Sequence, residues 1–556
     1  MSLNLKPKLP SKAVVEPIMT ADRSILSVRN AEVPSQINGT YSYSTNSRIE
    51  FDLNSPSEFI DFANSYMRFN LSTTLNLEGS DCSAKYLAEG GAHALFREVR
   101  LETQSGTLID RIQRYNKFYS TMSSIFHPKD FVDSHLQQAG DSVDVECKGD
   151  SQPNYKPLGG TAFTIAAGGA DLTATGAADF INEVDIGDLL YFVDDDGVTI
   201  SAKVSAIASA TALTLALGVA GTYNSAYVVK ADAGYDPARK RVANTSGSQL
   251  CCKLLLPFFQ RDEYFPLFLV RSGLKVIIEL ERPEYVLCAP KNVISTGFSG
   301  ADYSLSNVNF VAPFVQPADT LREAYISMFK QSGITMSLIS YEHRLNNVSA
   351  GNVGTQNLRM NVNARSVKHL LTFVQDPRAE TVRSATENAG KSTYTADCIS
   401  QRLKAGITKW QVEIGSHRYP QSSPMDVQSG DNSELLAELE KTLSIYDVST
   451  SHRWKPYEWV DVAVPYKPFE QGATNGKNSA TKVIFPADFS RDSSPFSGVD
   501  ATLHSINVQP EIGTAYQLTD MDGTSNPVNS ELFVHSFIGL DKIVILSESG
   551  GITTLV

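Results

Sequence analysis

Residues 96–110, FREVRLETQSGTLID, and residues 409–423, KWQVEIGSHRYPQSS, are two versions of one pattern. In each, apolar side chains alternate with polar ones: Val99 and Leu101 in the first, Trp410, Val412 and Ile414 in the second. A turn comes next, at Gly106 and at Gly415-Ser416, and then a second extended piece. Alternation with period two marks a strand that rests one face on a core. Each pattern runs on into a helical stripe. Ile112, Tyr115, Tyr119, Met122 and Phe126 are spaced by threes and fours, which predicts a helix over 111–126. Leu435, Leu436, Leu439, Leu443 and Tyr446 do the same over 433–446. Ser433 or Asp431 is placed to cap that helix, and Glu434 suits its first turn. Val99 and Val412 lie a little over half the chain apart. A second echo pairs SGLKVIIEL at 272–280 with GLDKIVILS at 539–547. Two copies of one β-rich unit explain both echoes.

The surrounding sequence has the same character. Ile49, Phe51 and Leu53 alternate, as do Met67, Phe69 and Leu71, then Thr73, Leu75 and Leu77, then Leu358, Met360 and Val362. These short runs read as half-buried antiparallel strands. The continuous runs Val276–Ile278 and Ile543–Leu546 read as strands covered on both faces. The chain has 556 residues, 42% of them apolar, enough to bury a large core. Only 20% are charged, which excludes disorder as the main state. A net charge of −13 argues against coating nucleic acid, and no direct sequence-specific binding to it is expected. Six cysteines, Cys82, Cys147, Cys251, Cys252, Cys288 and Cys398, show no CxxC spacing and read as packed thiols. Residues 1–20 have three Lys and three Pro but no apolar core of a secretory signal, so the sequons at Asn38, Asn70, Asn244 and Asn347 are read as chance matches. Val204–Val229 is uncharged but too rich in Ser, Thr, Gly and Asn for a membrane helix.

One segment is foreign to this pattern. Leu158–Ala231 contains no Pro, Arg, His, Cys, Met or Trp, and holds eight acidic residues against two lysines. Its DLLYFV, DDDG, VTISAKVSAI and TALTLAL stretches read as strand, turn, strand and strand. They predict a small β-barrel inserted into an exposed loop.

Candidate chemistry is sparse. Ala385–Ser392 fits a permissive phosphate-loop pattern, but Ala385 stands where a glycine is needed and neither the buried strand nor the helix adjoins it. His127, Asp130, Asp133 and His135 fit no strong zinc spacing, and Pro128 breaks the helix that would align them. Asp194-Asp195-Asp196-Gly197 lacks the alternating ligands and distal Glu of a calcium loop and reads as a hairpin turn. Trp410, Trp454 and Trp459 could line a sugar site but are read as core aromatics. No catalytic, cofactor-binding or metal residue is therefore assigned, and no cofactor is expected.

Taken in order, several passages resemble the double jelly-roll major capsid proteins of icosahedral double-stranded DNA viruses, the group of large nucleocytoplasmic viruses, virophages and polinton-like viruses. They are residues 49–77 (IEFDLNSPSEFIDFANSYMRFNLSTTLNL), 93–122, 256–287, 303–316 (YSLSNVNFVAPFVQ), 358–377 and 407–420. The resemblance spans Thr40 to Val556 without the insert, and its motifs are architectural. It implies an all-β chain with a few short helices, formed by two consecutive eight-stranded jelly rolls and the inserted β-barrel. The implied division is an N-terminal arm over 1–39, a first roll over 40–315 carrying the insert 158–231 as an exterior tower, and a second roll over 316–556. It further implies a non-enzymatic homotrimer tiling a virion shell and meeting neighbouring capsomers, penton and minor capsid proteins. The arm, with Lys6, Lys8 and Lys12, would lie beneath the shell against an internal membrane or those minor proteins. The alternative is a β-sandwich carbohydrate-binding protein or glycosidase, since jelly rolls also serve lectins.

Overall fold

The computed structural model describes residues 25–73, 86–127, 155–231, 248–288, 302–375, 399–442 and 483–556, except for short stretches within those spans. Eight main strands come first: β1 (Ile25–Pro34), β2 (Arg48–Leu53), β3 (Tyr66–Thr73), β4 (Phe96–Thr103), β5 (Leu108–Gln113), β6 (Ser248–Cys252), β7 (Leu274–Leu280) and β8 (Tyr303–Pro317). They form two sheets, in the orders β1-β8-β3-β6 and β2-β7-β4-β5, with antiparallel pairing throughout. The two sheets pack face to face, with Phe51 of β2 against Phe310 of β8 and Phe69 of β3 against Phe96 of β4.

Eight more strands complete the fold: β9 (Ile334–Val348), β10 (Leu358–Met360), β11 (Val367–Gln375), β12 (Ile407–Ile414), β13 (His417–Tyr419), β14 (Phe485–Asp488), β15 (Ile506–Ile512) and β16 (Leu532–Leu546). Their sheets run β9-β16-β11-β14 and β10-β15-β12-β13. Counted within each set, both halves have the orders 1-8-3-6 and 2-7-4-5. That is the strand order of a jelly roll, in which hairpins fold over into two facing sheets. The chain is therefore a double jelly roll, and the duplication is one of topology. The longest helices among the described residues are α1 (Tyr115–Phe126) after β5, α2 (Asp319–Ser332) between the rolls, and α3 (Ser433–Thr442) after β13.

The strands predicted from alternation are in place. Ile49, Phe51 and Leu53, Met67, Phe69 and Leu71, and Trp410, Val412 and Ile414 are all buried. Leu75 and Leu77 lie outside the described residues. β4, which carries Val99, and β12, which carries Val412, occupy the same place, since each is the fourth strand of its roll. The second echo is not an equivalence. Residues 274–280 are the seventh strand of one roll, whereas residues 532–546 are the eighth of the other. Both strands run between two others, so both are rich in apolar residues whatever their rank.

Other boundaries also shift. The helix predicted from Arg111 starts only at Tyr115, because Ile112 belongs to β5 and pairs with Val99. Arg114, at φ 52°, turns the chain from strand into helix. Ile25–Pro34, which falls in the stretch read as an N-terminal arm, is β1 and pairs with β8. Its alternation is weak because most of the strand is exposed. The insert forms one eight-stranded antiparallel sheet that sits in the chain between α1 and β6. Its inward residues, among them Phe163, Leu172, Phe180, Leu190, Val204 and Leu213, share a core separate from that of the rolls. The sheet includes Tyr155–Pro157, paired with Val229–Ala231, just before the compositional boundary at Leu158.

Candidate functional site

The two rolls meet at a seam built around α1. The helix carries no acidic residue and a single lysine, and ten of its twelve residues are buried. Towards its own roll, Tyr115 is held by two partners. Its hydroxyl accepts from the Leu255 backbone N–H (2.8 Å) and is hydrogen-bonded to His93 Nδ1 (3.0 Å). His93 also stacks on Tyr119, with ring centroids 3.6 Å apart. Burial, with the nearby charge of His127, lowers the His93 imidazole pKa to about 3.

Towards the second roll, α1 lies on the sheet β9-β16-β11-β14. Phe118 packs on Tyr341 (4.6 Å) and Phe537 (5.2 Å). Lys117 donates from Nζ to Gln375 Oε1 and approaches His535 Nε2 at 3.5 Å. An ammonium can only donate, so the His535 proton sits on Nδ1, which reaches His343 Nε2 at 3.0 Å. Arg402, fully buried, donates to Ser120 Oγ (2.7 Å) and Thr121 Oγ1 (3.2 Å), and its guanidinium lies 5.9 Å from the centre of the Phe373 ring. Removing two cations from water is costly unless their donors find partners, and here side-chain oxygens on both rolls accept from Lys117 Nζ and from Arg402 Nε and Nη2.

The strand edges join as well. Asp110 on β5, fully buried, accepts from Ser340 Oγ on β9 (2.8 Å) and from the Phe258 N–H (3.2 Å). Burial raises its carboxyl pKa, against the opposing pull of Lys542 and of these hydrogen bonds. Arg261 donates to the Ser337 carbonyl (2.9 Å). On the far side of Tyr341, His369 Nε2 reaches its hydroxyl (3.1 Å), and burial, then the charge of Lys368, lowers this imidazole pKa to about 4. The arrangement is cohesive: it fixes the first roll's fifth-strand edge and helix against the second roll's first strand.

The seam residues escape a sequence reading because they come from distant parts of the chain. Lys117 and Gln375 are 258 positions apart, and Lys117 and His535 are 418 apart. The one local signal was Lys117 itself, a charge inside an apolar helical stripe. Of the candidates weighed for chemistry, only His127 and Trp410 fall among the described residues. His127 sits at the end of α1 with Nδ1 3.1 Å from Ser123 Oγ, whereas Asp130, Asp133 and His135 lie outside the described residues. So do Ala385–Ser392, Asp194–Gly197, Trp454 and Trp459. Trp410 is buried and stacks on Phe485 (4.6 Å), as a core residue does. Cys251 and Cys252 are adjacent on β6, and burial pushes both thiols up. Among the described residues, no group of three or more His, Cys, Asp or Glu side chains is placed to hold a metal ion, and no helix is long and apolar enough to cross a membrane.

No family model matches the sequence, and no curated protein does. Among solved structures, the PBCV-1 virus capsid aligns over 95% of this chain and 97% of its own, at 10% identity and a TM-score of 0.48. The Sputnik virophage structure aligns over 96% and 89%, at 11% identity and a TM-score of 0.49. The mavirus major capsid protein aligns over 94% and 90%, at 9% identity and a TM-score of 0.45.

Proposed function

We propose that this protein is a structural shell protein, the major capsid protein of an icosahedral virion, working as a homotrimer and without catalysis. The observation that carries the reading is the repetition of one jelly-roll strand order in a single chain, with the two rolls locked by a buried seam. Such a chain presents two similar units at a fixed angle. Three chains around a threefold axis present six rolls, a pseudo-hexagonal tile able to pave a closed shell. A rigid seam serves a tile, because slack between the rolls would blur the angle at which neighbours meet.

The remaining parts take places around that tile. The acidic insert projects from the connection between the fifth and sixth strands as a decoration on the outer face. Residues before β1, which carry Lys6, Lys8 and Lys12, lie beneath the shell against an inner membrane or minor capsid proteins. Penton proteins fill the fivefold corners, and genome contact is left to other components. Light scattering coupled to size exclusion, combined with negative-stain microscopy, tests the reading. Trimers of hexagonal outline are the expected result. A stable monomer that retains or hydrolyses glycans would overturn it.

A further inference from the structure

The seam brings together three groups whose chemistry goes beyond packing. Lys117 of α1 supplies a primary amine, Gln375 at the end of β11 a carboxamide, and His535 of β16 an imidazole. Lys117 Nζ contacts Gln375 Oε1, one bond from the carboxamide carbon Cδ, and lies 3.5 Å from His535 Nε2. All three side chains are sealed from water: Lys117 is 3% exposed, and Gln375 and His535 are at 0%. Lys117 belongs to the first roll and Gln375 to the second, so a bond between them would join the rolls.

Each group is also held in place. His535 stacks on Phe373, with ring centroids 5.1 Å apart and planes 13° from parallel. Its Nδ1 reaches His343 Nε2 at 3.0 Å, which leaves Nε2 as the proton acceptor turned towards Lys117. Gln375 is paired through its backbone with Phe533 of β16. Lys117 is next in sequence to Phe118, whose ring is fixed on Tyr341 and Phe537. A lysine amine becomes a nucleophile when it is desolvated beside a base. Holding it against its target replaces a chance encounter by an effective concentration far above any in solution. An ammonium stripped of water is costly, and turning it into an amide removes the charge.

We propose that Lys117 and Gln375 become joined by an isopeptide bond, formed by the folded chain itself with loss of ammonia. Lys117 Nζ gives a proton to His535 Nε2, and the lone pair so freed attacks Cδ once the carboxamide has turned about χ3. The Nζ–Cδ bond forms, and one electron pair of the Cδ–Oε1 double bond moves to the oxygen. Collapse of this intermediate breaks the bond from Cδ to Gln375 Nε2, which takes the proton from His535 as it departs. His535 accepts the second Nζ proton and passes it on. The amide and ammonium are the only products, and nothing is oxidised or reduced. The link ties positions 258 residues apart and fixes the angle between the rolls covalently. It does not depend on the shell reading.

Peptide mapping of the full chain by mass spectrometry reads the bond directly. After trypsin, residues 115–129 should be recovered joined to residues 369–378, lighter than the two peptides together by one ammonia, because an amidated Lys117 no longer directs cleavage. The intact chain should be lighter than its sequence by the same amount. Lys117→Met keeps an unbranched side chain without the amine and should restore the full mass. His535→Gln should form the link about 100-fold more slowly, read as the joined fraction at fixed times after a short pulse of expression. Circular dichroism should match wild type for both; if either variant fails to fold, the wild-type peptides still decide. Residues 115–117 and 369–378 recovered as separate peptides, from a chain of full mass, would overturn the proposal. So would a loss of ammonia that persists in Lys117→Met, since it arises elsewhere in the chain. A link formed at the wild-type rate in His535→Gln would overturn the proton transfer written here. Trimer formation is read by none of these measurements, so the shell reading stands or falls separately.

Discussion

Helices α1 and α3 have the same address, each coming after the fifth strand of its roll, and opposite fates. α1, YNKFYSTMSSIF, is buried on almost every side between two rolls. α3, SELLAELEKT, buries Leu435, Leu439 and Thr442 and leaves much of its remaining surface to water. Topology fixed where each helix emerges, but partners decided its composition. A helix enclosed by protein can dispense with charge and carry aromatics on several faces, whereas a solvated one needs an apolar stripe and a polar back. One strand order thus sets a helix at the same address twice, one enclosed between the rolls and one left largely to water.

Acid is the strongest probe of the buried member. His93 stacks on α1 from the first roll, and His369 stands behind Tyr341, which touches α1 from the second. The imidazole pKa values are lowered to about 3 and about 4 respectively. An unfolded histidine titrates near 6.5, so between there and about pH 4 the unfolded chain binds two protons that the folded one refuses. Stability is then full above about pH 6.5 and falls on acidification by about 2.7 kcal/mol per pH unit, several kcal/mol over the window. Denaturant unfolding at pH 7, 5.5 and 4.5 measures the slope, and His369→Gln should halve it. A flat profile would mean that neither imidazole is sealed at the seam.

Next in size is the direct comparison of side chains. Phe118→Ala removes a buried ring that touches both Tyr341 and Phe537, and should cost about 3–5 kcal/mol. Leu436→Ala removes a half-buried side chain from α3 and should cost about 1 kcal/mol or less in the unassembled chain. Equal costs by chemical denaturation would erase the distinction between the helices. A larger cost for Leu436→Ala in assembled protein would sharpen it, by showing that α3 gains its cover from another copy.

How far the residues announced this arrangement depends on how local each signal is. Strands with one wet face declare themselves through neighbours two apart, as at Ile49, Phe51 and Leu53 or at Trp410, Val412 and Ile414. The Val99–Val412 correspondence was legible because strand, turn and helix recur together. β1 was not, because exposure of Leu26, Val28, Asn30 and most of its other residues removes the contrast that alternation relies on. Ile277 and Val544 look alike in sequence because both strands lie between neighbours, and only hydrogen-bond partners distinguish the seventh strand from the eighth. The seam was illegible for a different reason. Gln375 and His535 acquire their roles from Lys117, and nothing near either of them names that partner.

The smallest expected effect concerns how α3 begins. Glu434 lies in its first turn, exposed, where a carboxylate faces the positive end of the helix dipole. α1 has no acidic residue there, and its first turn is held by packing and by Asn116, which donates to Glu281 Oε2 (3.0 Å). Glu434→Gln keeps the shape and removes the charge, and should cost about 0.3–1 kcal/mol at low salt. Because the site is open to water, screening should shrink that cost when the denaturation is repeated near 1 M salt. A charge effect that vanishes in salt is the mark of a helix stabilised from its own end. If Glu434→Gln is silent at low salt, α3 is held by packing as α1 is, and the contrast between the two helices reduces to composition alone.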